Sequence, residues 1–338
     1  MLPFNLILAA AMLTSSQADP ATELRAKLDE LGKQNFSGVL YMEKDGKEIF
    51  FHSVGYADPE SKRPFTRQTG IEIGSIVKPV VRVAMLKLAE DGKVGLSDSI
   101  SKYFRDVPED KKPITLQMLM NHTSGFQDVF GGDYEPIKRD ALMQKMLEAK
   151  LLFTPGSKDE YSNCGFSMLA TIIEKVTGES LERHIARTQF TPLGLRRFGY
   201  VLPNWNRDEL MTGYGSKGER WGTPREKFWY KDGPSWNLRG NGGMIATAKD
   251  LATWSLAAHG GRLLKPGSYK LFMPSWAEKP PSATAISMSA GGNGIFNTVL
   301  AYMPHHKLVL VAASTDGRFE IENHLRPLYP LMLKVAGG

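Results

Sequence analysis

A serine and a lysine three residues apart, Ser75 and Lys78, are the pair of side chains in this chain best placed to do chemistry. Residues at this spacing share one face of a helix, so the lysine amine can reach the serine hydroxyl and take its proton. A serine hydroxyl is a weak nucleophile until a neighbouring base activates it. The pair therefore predicts an activated serine that needs no histidine.

The sequence around Ser75 predicts that it lies at the start of a helix. An apolar stripe at helical spacing follows it, formed by Val77, Val81, Ala84 and Leu88, and Asp91-Gly92 marks the end. Backbone N–H groups at a helix N terminus point outward, and the helix dipole favours a developing negative charge there. A second Ser-x-x-Lys, from Ser99 to Lys102, lies in a polar stretch, and we interpret it as an ordinary helix start.

A second motif, Tyr161-Ser162-Asn163, lies on a loop that leads into a helix. A tyrosine hydroxyl near a protonated lysine has a lowered pKa and can shuttle a proton between nucleophile and leaving group. The Asn163 amide can both donate to and accept from a substrate carbonyl or amide. Taken alone, so short a motif is also typical of any polar loop.

Length and composition are those of an ordinary globular protein. The chain has 338 residues, 42% of them hydrophobic and 23% charged, which allows one large domain or two intertwined ones. Its net charge of +6 is spread along the chain, so we interpret it as a solvated surface and expect no nucleic-acid partner. Seven scattered histidines predict no metal site, and we expect no cofactor. The single cysteine, Cys164, rules out an intramolecular disulfide.

Residues 1–18 differ from the rest of the chain. They are largely apolar and uncharged up to Asp19, and Ser16 and Ala18 are small residues at the −3 and −1 positions of a cleavage site. This pattern predicts a secretory signal peptide and an exported protein, periplasmic or secreted. An uncleaved anchor is the alternative, but the apolar run is short for a membrane span, and no later segment is long and apolar enough to be one.

Strand signals occur near both ends of the chain, and helical signals fill the middle. We expect hairpin strands at Ser37–Glu43 and Lys47–Val54, joined by an Asp-Gly turn, and at Asn297–Met303 and Leu308–Ala313. We expect helices at 21–34, Leu116–Asn121, Arg139–Lys150, Cys164–Thr177 and Glu322–Val335. The pattern predicts an α+β fold, an antiparallel β-sheet flanked by helices with an inserted all-helical lobe. The sheet domain would comprise residues 19–92 and 241–338, the helical lobe 93–240, with the site in the cleft between them.

Ser75-Ile76-Val77-Lys78 and Tyr161-Ser162-Asn163 resemble the first two motifs of the serine β-lactamase and penicillin-binding protein superfamily. The chain is most similar to the branch with class C β-lactamases, D-alanyl-D-alanine carboxypeptidases and family VIII esterases. The resemblance covers about residues 36–315 and includes Gly55-Tyr56-Ala57-Asp58, Leu119-Met120-Asn121-His122-Thr123-Ser124-Gly125, Pro155-Gly156 and Gly242-Gly243-Met244. It implies a β-lactamase/transpeptidase-like fold. It also implies that Ser75 is the acylated nucleophile, that Lys78 and Tyr161 share the acid–base work, and that Asn163 holds the substrate.

The third motif of that superfamily, Lys-Thr-Gly or His-x-Gly, is altered here. The stretch that fits best is Ser289-Ala290-Gly291, followed by Gly292. The resemblance implies that the Gly292 N–H completes an oxyanion hole with the nucleophile's own N–H. Ser289 replaces a residue that carries positive charge and helps to bind a substrate carboxylate, whereas a hydroxyl carries none. This favours an ester or a neutral amide as substrate, unless another cation such as Arg239 reaches the cleft.

We therefore expect a serine hydrolase that acts through an acyl-enzyme on a small-molecule ester, amide or peptide. An esterase or related amidase ranks first, and a D,D-carboxypeptidase or weak β-lactamase second. A non-catalytic cell-wall-binding or regulatory module is the alternative of another class; Ser289 favours it, and the four intact motif residues count against it. The sequence leaves the oligomeric state open.

Three smaller features have expectations of their own. An aromatic-rich stretch either lines an acyl pocket or packs the helical lobe; it contains Trp221, Phe228, Trp229, Tyr230 and Trp236. We expect His122 to pack rather than to catalyse. His305-His306 is expected to form a hairpin turn on the surface.

Overall fold

The computed structural model describes residues 19–34, 36–215, 217–274, 276, 281–317 and 319–337. The expected signal peptide, residues 1–18, lies outside the described residues. Within these ranges, no helix combines the length and the apolar character that crossing a membrane requires.

The described part of the chain contains both α-helices and strands, and many of the strands are only two or three residues long. The helices are α1 (Pro20–Gly32), α2 (Val77–Glu90), α3 (Leu116–Met120), α4 (Arg139–Glu148), α5 (Asn163–Thr177), α6 (Leu181–Ile185), α7 (Ala248–His259), α8 (Pro266–Phe272), α9 (Ile321–Leu325) and α10 (Tyr329–Val335). The strands are β1 (Gly38–Lys44), β2 (Lys47–Val54), β3 (Ile71–Glu72), β4 (Phe198–Gly199), β5 (Gly213–Tyr214), β6 (Arg220–Gly222), β7 (Trp229–Tyr230), β8 (Gly233–Pro234), β9 (Ile245–Ala246), β10 (Ser287–Gly292), β11 (Asn297–Met303) and β12 (Leu308–Ser314).

Strands from both ends of the chain form one antiparallel sheet, in the order β10-β11-β12-β1-β2. Strand β1 joins the two halves by pairing with β2 on one side and with β12 on the other. The Asp45-Gly46 turn between β1 and β2 has positive φ at both residues, as the Asp-Gly signal predicts. The hairpin predictions are therefore confirmed, and the fold is α+β with an antiparallel sheet.

Helices cover both faces of this sheet, so its central strands are buried on both sides. Side chains alternate along a strand: in β1, Val39 and Tyr41 face a large core with α2, α5 and α7, whereas Leu40 and Met42 face a smaller core with α1, α9 and α10. Helix α7 packs directly on β1, β11 and β12. This double burial explains why β12 is an unbroken apolar run rather than an alternating one.

Helix α2 follows the course that the sequence predicts. A 3₁₀ turn at Gly74–Ile76 contains Ser75, and α2 continues from it to Glu90, where Asp91 caps it and Gly92 has a φ of +69°. The helix packs against α5, α6 and α8, so much of its surface is buried among helices. Its buried surface is consequently wider than the single predicted stripe, because Val80, Val83, Met85 and Leu86 are buried as well.

Two expectations differ from the structure. The prediction of a single C-terminal helix is wrong, because α9 ends at Leu325 and α10 begins at Tyr329 with a 3₁₀ turn between them. Prolines at 327 and 330 cause the break, since each lacks the N–H that a continuous helix needs. The segment 93–240 also contains the short strands β4 to β8 in addition to its helices.

Candidate active site

Three side chains expected to do chemistry meet in one hydrogen-bonded cluster. The Lys78 Nζ donates to Ser75 Oγ over 2.9 Å, and the Tyr161 hydroxyl donates to the same oxygen over 2.7 Å. The Lys78 Nζ also lies 4.7 Å from the centroid of the Tyr161 ring. The fold thus brings Tyr161 to a Ser-Lys pair from which it is 86 residues away in sequence.

Local structure fixes each member of the cluster. Lys78 lies in the first turn of α2 with only 5% of its surface exposed, and its Nζ also donates to the Asn241 carbonyl over 2.9 Å. Tyr161 immediately precedes α5, whose cap Ser162 accepts from the Gly165 N–H. The Ser162 N–H in turn donates to His122 Nδ1 over 3.1 Å. The loop that carries Tyr161 is therefore held at two points.

The surroundings of Lys78 favour its neutral form. Burial lowers the pKa of Lys78 from 10.5 to about 7, although the carboxylates of Asp128 and Asp133 act in the opposite direction. A buried amine with this pKa is neutral in a large fraction of molecules at neutral pH. In that form it can accept the proton of Ser75.

Tyr161 departs from the expected electrostatics. The sequence predicts a pKa lowered by a protonated Lys78, whereas burial raises the pKa of Tyr161, and only its hydrogen bond with Ser75 acts against this. The physical reason is that desolvation of the phenol and the nearby Asp128 carboxylate both favour the protonated form of Tyr161. Tyr161 therefore keeps its proton at neutral pH and is suited to donate it.

The altered third motif lies on the edge strand β10 beside the nucleophile. A Cβ at Gly291 would lie 2.1 Å from the Ile73 carbonyl oxygen and 2.8 Å from the Ser75 nitrogen. Gly74 has a φ of +47°, and a Cβ there would lie 2.6 Å from the Gly292 nitrogen. Only glycines allow the two backbones to approach so closely. This packing holds the Gly291-Gly292 backbone directly against the turn that carries Ser75.

A cleft of about 320 Å³ opens over the cluster. Its described lining is formed by Ser75, Lys78, Pro79, Arg82, Met120, His122, Tyr161, Phe166, His259, Phe272, Met273, Ser287, Ser289 and Ala290. Ser289 thus lies in the same cleft as Ser75. Much of the wall is apolar, which suits an organic substrate with few charges.

Several residues considered from the sequence are not among the described residues that line this cleft; they include Asn163, Arg239 and the third-motif glycines Gly291 and Gly292. Asn163 begins α5, and its backbone N–H donates to the Asp128 carboxylate over 2.9 Å. The prediction that Arg239 supplies a positive charge to the cleft is wrong. It is 2% exposed and is paired through both terminal nitrogens with Asp232 at 2.9 and 3.0 Å, so its charge is already neutralised inside the helical segment.

Most of the aromatic-rich stretch packs against the core instead of lining the cleft: Trp236 is buried, Trp221, Trp229 and Tyr230 are partly buried, and Phe228 is exposed. Trp221 meets Phe296 edge to face with ring centroids 5.3 Å apart, and Trp229 meets Tyr200 at 6.2 Å. None of the five aromatic residues of this stretch belongs to the described lining of the cleft. The structure therefore supports the packing alternative.

Two further cleft residues bear on the cluster: His122, which the sequence predicts to pack, and Arg82, to which the sequence assigns no role. His122 stacks on the Tyr161 ring with centroids 4.7 Å apart; burial lowers the pKa of His122 to about 4, so it is neutral. Arg82 lies seven residues after Ser75 and four after Lys78, a spacing that places all three on one helix face. That spacing is a signal that could have identified Arg82.

Other side chains that could act as nucleophiles either are unreactive or have a structural role. Burial raises the pKa of the Cys164 thiol to about 12, so it is a buried apolar side chain and not a nucleophile. Ser99 accepts from the Ser101 N–H and donates to the Lys112 carbonyl, which makes it the cap of a 3₁₀ turn. Within the described ranges, no three His, Cys, Asp or Glu residues are grouped to hold a metal ion.

The chain belongs to the beta-lactamase family, whose pattern matches residues 24–328. Penicillin-binding protein 4* of Bacillus subtilis (strain 168) is 26% identical over 336 residues, covering 88% of this chain and 73% of that protein. A β-lactamase/D-alanine carboxypeptidase from Pseudomonas syringae has the same fold, with a TM-score of 0.76, 17% identity and coverage of 94% and 99% of the two chains. EstCE1, a hydrolase with promiscuous acyltransferase activity, has a TM-score of 0.74, 21% identity and coverage of 94% and 99%.

The chain spans between about half and three quarters of the length of the curated relatives it matches. Family membership and fold together define an enzyme of the serine hydrolase superfamily that includes β-lactamases and penicillin-binding proteins.

Proposed function

We propose that this enzyme hydrolyses an ester or amide through an acyl-enzyme on Ser75, with esterase activity ranking first. The observation that carries the proposal is the cluster in which Lys78 and Tyr161 both hydrogen-bond to Ser75 Oγ. A nucleophile within hydrogen-bond reach of a base of suitable pKa is the arrangement that acyl transfer requires.

In the proposed reaction, neutral Lys78 accepts the Ser75 proton as Oγ attacks the substrate carbonyl. The N–H groups of Ser75 and Gly292 stabilise the resulting oxyanion, an interaction usually worth several kcal/mol. Tyr161 donates its proton to the leaving group as the carbonyl re-forms, and Lys78 returns a proton to Tyr161. Water then attacks the acyl-enzyme by the reverse proton path and releases the acid. Asn163 is proposed to hold the substrate by its resemblance to the family motif.

Ser289 and the apolar cleft wall support the esterase over the peptidase. Ser289 lies in the cleft and supplies a hydroxyl where the family carries a cation, while Phe166, Phe272 and Met273 offer apolar contact. A D,D-carboxypeptidase or weak β-lactamase is the second candidate, supported by the names of the Bacillus and Pseudomonas relatives. A non-catalytic module would have no need of the Lys78–Ser75–Tyr161 hydrogen bonds.

Two further proposals concern the chain as a whole. We propose that it is exported, because the apolar segment before Asp19 has the features of a signal peptide. N-terminal mass analysis of protein secreted by a bacterial host tests this, and an intact Met1 would contradict it. We also propose that the sheet domain comprises 19–92 and 241–338, since the strands of the five-stranded sheet lie within these ranges.

The decisive experiment measures hydrolysis of p-nitrophenyl butyrate by the wild-type protein and by Ser75→Ala. We expect Ser75→Ala to lose about a thousandfold or more in kcat/KM while its circular dichroism and thermal midpoint stay unchanged. Ser99→Ala is the matched control, because it removes the serine of the other Ser-x-x-Lys, and we expect it to retain full activity.

Retained turnover in folded Ser75→Ala would overturn the assignment of the nucleophile. No turnover in either protein would instead favour a narrow peptide substrate or the non-catalytic module. Intact-mass detection of a butyryl adduct that is absent in Ser75→Ala would establish the covalent intermediate.

A further inference from the structure

Arg82 lies on the face of α2 that forms the cleft wall. Ser75, Lys78, Pro79 and Arg82 line the cleft together, as their helical spacing requires. Side chains on a helix lean toward its N terminus, so the guanidinium leans from its own turn toward the end that carries Ser75. The cleft therefore contains a fixed positive charge on the wall that faces β10.

One end of this guanidinium is anchored by the protein. Its Nη2 donates to the Met120 carbonyl over 2.8 Å and to Asn121 Oδ1 over 2.9 Å, both at the C-terminal end of α3. Within the described residues, the hydrogen bonds of Arg82 all come from Nη2. The donors on Nη1 and Nε are left for another acceptor. A guanidinium held in this way is preorganised to bind a carboxylate through its remaining edge.

Arg82 also has no carboxylate partner among the described residues. By contrast, the buried Arg239 is paired with Asp232, and the partly buried Arg197 is paired with Glu209. Burial lowers the pKa of Arg82, and no nearby acid offsets this. Burying a charge without a partner is costly, and such an arrangement is expected where a ligand supplies the missing charge.

The neighbours of Arg82 indicate which part of a substrate it would meet. Asn121, which accepts from Arg82, is followed by His122, and His122 stacks on Tyr161. Tyr161 is the proposed proton donor to the leaving group, so Arg82 lies on the side from which the leaving group departs. Seven helical residues correspond to roughly 10 Å along the axis, and the backward lean of the side chain shortens this distance. A carboxylate separated from the scissile carbonyl by about one aromatic ring would fit.

We propose that Arg82 forms an anion subsite that binds a carboxylate on the leaving group of the ester or amide substrate. The subsite rests on the proposed function of Ser75. It supplies, from the helix side of the cleft, the positive charge that Ser289 does not supply from the strand side. The natural substrate class would then be an ester or amide whose alcohol or amine portion is anionic.

Binding to the Ser75→Ala protein tests the subsite without any need for turnover. Calorimetry compares 3-acetamidobenzoate with neutral 3-acetamidobenzamide, two ligands that differ only in the charged group. We expect the acid to bind more tightly, and Arg82→Gln to raise its Kd at least tenfold while the Kd of the amide changes less than twofold. The matched control is Arg67→Gln, which removes one exposed arginine charge paired with Glu48 on the surface, and it should leave both Kd values within twofold.

A second measurement uses the protein with Arg82 intact, so it does not depend on whether Arg82→Gln folds. Raising NaCl from 50 to 500 mM should weaken binding of the acid several-fold and leave the amide unaffected. Equal changes for acid and amide in Arg82→Gln, or no preference for the acid in the parent protein, would overturn the subsite and leave Arg82 as a tie between α2 and α3. Failure of the proposed function is distinguishable, because it appears as absence of Ser75-dependent ester turnover while acid binding stays intact.

Discussion

The rate of ester hydrolysis should rise with pH through about 7, because Lys78 must be neutral before it can accept the Ser75 proton. Burial lowers the pKa of Lys78 from 10.5 to about 7. This difference corresponds to about 5 kcal/mol in favour of the neutral amine. About half of the molecules would then have a neutral Lys78 at pH 7, compared with roughly three in ten thousand for a lysine of ordinary pKa.

A second group that titrates in the same range must be separated from Lys78. Burial raises the pKa of Glu72 to about 7, and its Oε1 accepts from the Gly74 and Gly243 N–H groups beside the nucleophile. Glu72→Gln retains an acceptor for both N–H groups and removes the titration. The assay is kcat/KM for p-nitrophenyl butyrate from pH 5 to 9, which reports pKa values of the free enzyme.

We expect the rising limb near pH 7 in both the wild type and Glu72→Gln. Asp133→Asn should move the limb to lower pH by several tenths, because the Asp133 carboxylate raises the pKa of Lys78. Asp140→Asn, which removes a carboxylate that is 86% exposed, is the control and should leave the limb in place. A limb near pH 10 would refute the lowered pKa of Lys78, and loss of the limb in Glu72→Gln would assign it to Glu72.

Three further predictions follow from the same geometry. Glu72→Gln should raise the free energy of unfolding by up to about 3 kcal/mol at pH 8 and by little at pH 4. The reason is that the pKa of Glu72 is raised from 4.5 to about 7 in the folded state, which costs stability as the pH rises through that window. Equal gains in the free energy of unfolding at both pH values, measured by urea titration, would contradict this prediction. Gly291→Ala should lower kcat about a hundredfold, because its Cβ would lie 2.1 Å from the Ile73 carbonyl oxygen. Gly267→Ala is the control and should leave kcat unchanged, because its Cβ would lie in open space. Equal kcat values in the two variants would contradict the prediction. Ser289→Lys should raise kcat/KM for 3-acetoxybenzoate relative to 3-acetoxybenzamide about tenfold, and an unchanged ratio would mean that the third motif is misaligned.

The features that follow from local sequence patterns could be predicted. The course of α2 depends on apolar spacing and on the Asp91-Gly92 end, and the β1–β2 hairpin depends on the Asp45-Gly46 turn. These patterns act over a few residues, so they are visible in one sequence. The break between α9 and α10 is just as local, since two prolines mark it, but the apolar spacing continues across it and favours a single helix.

Contacts between distant segments could not be predicted from residue types. Lys78 donates to the Asn241 carbonyl, and a backbone acceptor leaves no trace in the sequence. Even the nearer contact of Arg239 with Asp232, seven residues earlier and across strand β8, follows no periodic pattern. Residue type alone therefore leaves Arg239 as a candidate for a cleft cation. The spacing of Arg82 places it on one helix face with Ser75 and Lys78, but the sequence does not show that the end of α3 holds its guanidinium in the cleft wall.

Burial alone accounts for the proposed division of labour between Lys78 and Tyr161. The two groups have similar ordinary pKa values, 10.5 and 10.0. Desolvation disfavours the charged form of each, and that form is protonated for lysine but deprotonated for tyrosine. Desolvation in the same cleft therefore lowers the pKa of Lys78 and raises that of Tyr161, even though Tyr161 is 46% exposed. This makes one a base and the other an acid at neutral pH. A cation placed at position 289 would lower the pKa of both Lys78 and Tyr161. A substitution of Ser289 that improves carboxylate binding would therefore also make Tyr161 easier to deprotonate.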